Sequence, residues 1–135
     1  MSYAGASALQ TAVYQHLSAS PALQALVGTA IHDAAPPGPI SGTYVSLGPE
    51  EVRDASDQSG PGARHDFTVV VVSDAAGFHL AKEVAGVVSD LLVGADLPLT
   101  RGRLVALWFL RARARRVENA TARRIDLTFR ARVEL

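Results

Sequence analysis

From Arg123 to Leu135 the chain alternates with a period of two. Arg123, Ile125, Leu127, Phe129, Ala131, Val133 and Leu135 take the odd positions, and Arg124, Asp126, Thr128, Arg130, Arg132 and Glu134 the even ones. After the opening arginine this pattern specifies a strand with one dry and one wet face, because successive side chains leave a pleated strand on opposite sides. The preceding arm, Leu104 to Val117, is built differently. Val105, Leu107 and Phe109 fall on its odd positions, while Leu104, Ala106, Trp108 and Leu110 make the even positions apolar too. From Arg111 it turns cationic, through Arg113, Arg115 and Arg116. A strand apolar on both faces over one half must be covered twice there, and its arginine-rich half must be wet. Glu118-Asn119-Ala120-Thr121 supplies turn-compatible residues between the arms, so residues 101–135 read as one long β-hairpin.

Length and composition frame this hairpin. The chain has 135 residues, enough for one domain with a sizeable core, so residues 1–135 are expected to form a single unit. No apolar run is long enough to span a bilayer, and Met1 to Ala8 lacks the pattern of a secretory signal, so no membrane partner is expected. Cysteine is absent, which excludes disulfides and thiolate chemistry. Net charge is zero but unevenly placed. Residues 1–100 hold Arg53, Arg64 and Lys82 against ten Asp/Glu, a net of −7; residues 101–135 hold ten Arg against Glu118, Asp126 and Glu134, a net of +7. Two readings stand: copies dock acidic side to basic side, or the arginines pair with carboxylates of their own chain.

Upstream, Ala6, Leu9, Val13 and Leu17 mark one face of a helix over roughly residues 4–18. Ser20-Pro21 starts a short second helix that Gly28 closes. Ala30 to His32 suggests a short strand, Ala34 to Gly42 a Pro-rich connector, and Tyr44 to Leu47 a strand. Residues 48–64 contain almost nothing apolar beyond Val52 and are expected to form a long projecting loop. Its Glu50, Glu51, Arg53, Asp54, Asp57 and Arg64 are candidates for docking to a partner. The β-branched run from His65 to Ser73 reads as a central strand, and Asp74 as the cap of the following helix. That helix carries Leu80, Val84, Val87, Val88 and Leu91 as its core stripe. The expected fold is therefore α+β: an antiparallel sheet of about five strands with two main helices on one face, ending in the long hairpin. Two helices cover one face only. Leu104, Trp108 and Leu110, with one side of the valine run, then call for a second copy of the chain, making these residues and Arg111, Arg113 and Arg115 candidate interface residues.

No catalytic, metal or cofactor site is expected. His16, His32, His65 and His79 lack ligand spacing, neither a nucleophile elbow nor a phosphate loop occurs, and Glu50 and Glu51 sit in a segment expected to be mobile. Arg111, Arg113 and Arg115, with Arg124, Arg130 and Arg132, could meet phosphates in a salt-sensitive way, so a small nucleic-acid-binding protein is the alternative function. Arginine forks equally suit carboxylates in a protein interface.

The order of elements also carries a resemblance. The opening helix is followed by Pro21-Ala22-Leu23-Gln24-Ala25-Leu26-Val27-Gly28, then Ile31-His32-Asp33 and the Pro-rich connector. Next come Tyr44-Val45-Ser46-Leu47-Gly48, the polar segment, Asp66-Phe67-Thr68-Val69, the Leu80–Leu92 helix and the terminal strand pair. This resembles the tail-completion or tail-terminator proteins of long-tailed bacteriophages, also found in gene transfer agents. The resemblance implies a structural virion protein at the tail–neck junction, made in the bacterial cytoplasm and assembled as a ring, typically hexameric. Its implied partners are further copies of itself, the tail tube protein and the head–neck connector protein. DNA would pass through the lumen without sequence-specific binding.

Overall fold

The computed structural model describes residues 3–58, 60–117 and 121–135. In chain order these form α1 (Ala6–Ser18), α2 (Pro21–Val27), β1 (Ile31–His32), β2 (Thr43–Asp54), β3 (Gly62–Ser73), α3 (His79–Leu92), β4 (Arg103–Arg116) and β5 (Arg123–Glu134). The expected turn residues Glu118, Asn119 and Ala120 lie outside the described residues.

The strands make one sheet in the order β1-β2-β3-β5-β4. All neighbours are antiparallel except β1, which pairs parallel to β2 through Ile31–Val45 and His32–Ser46, so the α+β sheet is mixed. The three helices lie against one face. Leu9, Val13 and Leu17 of α1 meet Val84, Val88 and Leu92 of α3 in a core whose sheet side is Val45, Val69, Val71, Ile125, Leu127 and Phe129. Ring contacts of 5.7 Å from Phe67 to Phe129 and 6.0 Å from Phe109 to Phe129 fix its centre. The α3 stripe is rotated slightly from expectation. Ala81, Val84, Ala85, Val88 and Leu92 are buried, while Leu80, Val87 and Leu91 flank them half-buried.

Local signals act largely as their chemistry dictates. The Ser20 hydroxyl accepts from Leu23 N at 3.2 Å, which satisfies an end donor of α2. Asp74, by contrast, caps no helix: its carboxylate accepts from Gly42 N at 2.8 Å and ties the connector to the end of β3. His16 Nε2 lies 2.8 Å from the Leu91 carbonyl oxygen, joining α1 to the end of α3.

Two expectations are corrected by the sheet. Residues 48–64 are not a structureless finger. Strand β2 runs on to Asp54 and β3 starts at Gly62, so only the tip lies outside the ladder, and β5 accompanies the hairpin as far as Gly62–Glu134. Polar side chains hid the strands because both faces of β2 reach water at this end, and the buried residues at the start of β3 are Gly62, Ala63 and His65 rather than large apolar ones. A bulge between Leu47 and Glu50 also switches which side chains face the helices, which erases the alternation. Gly48 fits at the bulge because a Cβ there would lie 3.1 Å from the Val70 side chain.

The second correction concerns the apolar half of β4. Val70 and Val72 are already covered on the open face by Tyr44 and Ala122, with Ile40 and Val117 packed beside them, so the chain covers the second side of its own valine run. Leu104 pairs with Val133 and is buried in the helix-side core, on the opposite face from Trp108. What remains uncovered is smaller, and it lies along an edge.

Candidate assembly surface

Strand β4 is the last strand of the sheet, so its outer backbone groups have no strand neighbour within the described residues. Two bulges, at Val105 and Leu110, set where its side chains point. Each inserts one residue against β5 and reverses the facing of everything after it. Leu104 therefore faces the helices beside Val133, then Leu107 and Phe109 do so beside Ala131 and Phe129, then Ala112 and Ala114 beside Leu127 and Ile125. On the open face the sequence is Ala106 and Trp108, then Arg111, Arg113 and Arg115. Leu110 has no partner in the register and is half-buried.

Three large apolar side chains are exposed within five residues of this edge: Val105 at 40%, Trp108 at 38% and Phe109 at 42%. Trp108 and Phe109 face opposite sides of the sheet. Beside Phe109, α3 stops short of the edge and leaves a groove of about 310 Å³ lined by Ala85, Gly86, Ser89, Ala112 and Ala114. The sequence pattern groups Phe109 with Leu107, which is buried, and does not mark it as exposed. The signal it lacked is that the strand is an edge, because α3 covers β3 and β5 but not the outer half of β4.

The open face is a lattice of charge. Arg130 grips Asp66 with two parallel bonds, Nε to Oδ1 at 2.8 Å and Nη2 to Oδ2 at 3.0 Å, both side chains about a quarter exposed. The hydrogen bonds from Arg130 hold the Asp66 carboxyl below its ordinary range, its positive charge, with those of Arg64 and Arg111, adding to the effect against partial burial. Arg124 donates to Asp126 at 2.6 Å, Arg132 to Asp57 at 3.1 Å, Arg53 to Glu51 at 2.5 Å and Arg103 to Glu134 at 3.0 Å. Arg111, Arg113 and Arg115 differ. They are exposed, and none of the described carboxylates lies within ion-pair distance of them. The two readings of the basic third are thus divided between its strands: most β5 arginines pair internally, and the β4 row does not.

The proposed docking residues separate in the same way. Glu51 and Arg53 share the open face with Asp66 and Arg64, whereas Glu50 faces the helix side and accepts from the Tyr3 hydroxyl. Ser56 Oγ donates to Asp54 at 2.7 Å, and Asp57 bridges to Gly60 at the tip. Arg64 is half-buried with its Nε lacking an acceptor.

One buried group was passed over in the sequence. His65 is fully buried on the helix face beneath Gly5, opposite Val52 and Ala131, and neither ring nitrogen has a hydrogen-bond partner. Burial pushes its pKa below the usual 6.5, opposed by the negative charges of Glu50 and Asp66. Among the described residues no three His, Cys, Asp or Glu side chains converge on a metal-sized site, and no helix is long and apolar enough to cross a membrane.

A small mixed sheet backed by helices, ending in a cationic and aromatic edge beside which no described strand lies, defines an α+β protein with a free sheet edge. The comparisons specify which. Residues 11–134 match the model of the family described as "Tail completion protein gp17", and the chain belongs to that family of structural tail proteins. Among solved structures it is similar to a chain from the "Virion of native gene transfer agent (GTA) particle", with 69% identity and a TM-score of 0.92. The match covers 99% of this chain and 100% of that one. No curated protein matches it significantly.

Proposed function

We propose that copies of this chain close into a ring on the end of the tail tube of a gene-transfer-agent particle. The ring stops tube growth and offers a seat to the head–neck connector, with DNA passing through its lumen. Six copies is the expected closure. The role is architectural, with no catalytic step and no cofactor. Family membership and the likeness to a chain of a gene-transfer-agent virion support the setting. The observation that carries the ring is the β4 edge, where Val105, Trp108 and Phe109 are exposed beside unpaired arginines. Adjacent exposed aromatics on a strand edge are a liability in a lone molecule and a contact in an assembly.

The test is solution mass by light scattering at moderate salt, alone and with purified tail tube, for wild type and Trp108→Asp. A ring mass that falls to the monomer in a folded Trp108→Asp variant is expected. A wild type that stays monomeric even with the tube would overturn the proposal. The unpaired row Arg111, Arg113 and Arg115 favours a second reading, phosphate contact. Binding to a mixed-sequence duplex by the monomer, weakening steeply with added salt, would select it.

A further inference from the structure

The sheet has two free edges, and they differ in charge. Strand β4 is one. The other is the outer half of β2: β1 pairs only with Val45 and Ser46, so from Leu47 to Asp54 the β2 edge has no strand beside it among the described residues. The two edges sit at opposite ends of one sheet. The β4 edge carries Arg111, Arg113, Arg115 and Arg116, and the β2 edge carries Glu50, Glu51 and Asp54 against Arg53.

We infer that the β4 edge of one copy docks against the acidic β2 edge of a second copy, a contact that rests on the ring reading above. Three observations converge on this occupant. First, Trp108 and Phe109 leave β4 on opposite faces, so a partner laid on either face would leave one aromatic in water; an edge-on partner covers both. Second, an edge-on partner that is itself a free strand edge can satisfy the outward N–H and C=O groups of β4, which is how an added strand gains affinity. Third, the β2 edge of another copy carries carboxylates in excess of its one arginine, Arg53, even though that arginine pairs with Glu51 and Glu50 lies on the helix side. Its net charge is therefore opposite in sign to that of β4, and the neutral whole chain lets each copy satisfy its neighbour without accumulating charge. Because the two edges are different surfaces, the contact is head-to-tail. Each copy gives one edge and receives the other, which generates a ring whenever the rotation between copies closes.

The experiment uses two charge-reversed variants of the full chain. Variant one carries Arg111→Glu, Arg113→Glu and Arg115→Glu; variant two carries Glu50→Lys and Glu51→Lys. Each alone sets like charges across the contact and should remain monomeric under conditions where wild type forms rings. An equimolar mixture restores opposite signs at every contact, through strict alternation of the two variants. It should recover the wild-type mass. Circular dichroism melting establishes that each variant is folded, and the mixture supplies a gain of assembly that no folding defect can imitate. Retention of the wild-type ring by either variant overturns the edge contact while leaving the ring standing. So does loss in both variants without recovery on mixing. An isologous β4–β4 dimer would appear as a two-copy mass indifferent to variant two, and also overturns it. A wild type that forms no ring with or without the tube overturns the ring reading and the contact together.

Discussion

The two arms of the C-terminal hairpin have nearly the same length and similar composition, yet they do different things. Strand β5 pairs on both sides, residue for residue against β3 from Gly62–Glu134 to Ser73–Arg123, and its odd residues are buried without interruption from Ile125 to Val133. Strand β4 pairs on one side, carries two bulges, and exposes apolar side chains on both faces. A strand flanked by two others has no freedom to add residues without breaking two ladders, whereas an edge strand can bulge and thereby re-aim its side chains. The central arm therefore carries the core and the edge arm carries the contact.

The largest effect that sharpens this contrast should come from Phe129→Ala. Phe129 is fully buried between Phe67 and Phe109, so its loss should cost about 3–5 kcal/mol and lower Tm by roughly 10 °C or more, read by calorimetry. Gly102→Ala, at the entry to β4, should come next. Gly102 has φ of 77°, and an added Cβ would lie 2.5 Å from the Glu134 carbonyl oxygen, so the start of the ladder must shift. A loss of about 2 kcal/mol in urea unfolding is expected, and a neutral result would mean that the edge arm gives way without disturbing β5.

A titration should separate the buried face from the charged one. His65 is neutral in the fold because burial depresses its pKa, so the unfolded chain binds the extra proton. Stability is then fully present above about pH 6.5 and is lost as pH falls from there toward the folded value, by at most about 1.4 kcal/mol per pH unit. The Asp66 contribution has the same sign but begins lower, below its ordinary 3.8. His65→Leu should flatten the upper window and leave the lower one. Urea midpoints between pH 7 and 5 would show it, and an unchanged slope in the variant would assign the window to other groups. Smallest of all should be Phe109→Ala, whose ring is 42% exposed: a loss below about 1 kcal/mol of fold stability is expected, beside a larger loss of assembly.

Much of this architecture was legible in the sequence, for reasons that differ by element. The β5 alternation, the valine run of β3, the Ser20-Pro21 start and the α1 stripe are all local patterns fixed by one packing environment, and the structure follows them. The β2–β3 hairpin beyond Leu47 was missed because β2 is solvated on both faces there and the buried residues at the start of β3 are Gly62, Ala63 and His65, too small or too polar to betray a period. The grouping of Leu104 with Trp108 failed for another reason. Two bulges flip parity twice, and a bulge leaves no signature in residue type when the extra residues are Val105 and Leu110. The partners of the arginines were equally out of reach, since Asp66 meets Arg130 only because β3 and β5 are neighbours.

That adjacency also has a kinetic consequence. Apart from the two-residue β1, the sheet consists of two hairpins, β2–β3 and β4–β5, each closing over a short stretch of chain, joined along a single seam that brings Phe67 beside Phe129. Closing the seam spans far more chain than closing either hairpin, so it should set the folding rate, and until it closes both hairpins present bare inner strands. Substitutions along Val69, Val71, Leu127 and Phe129 should then slow refolding in a stopped-flow experiment. Those at the outer edge of β4 should leave the rate untouched and act only once folded molecules meet.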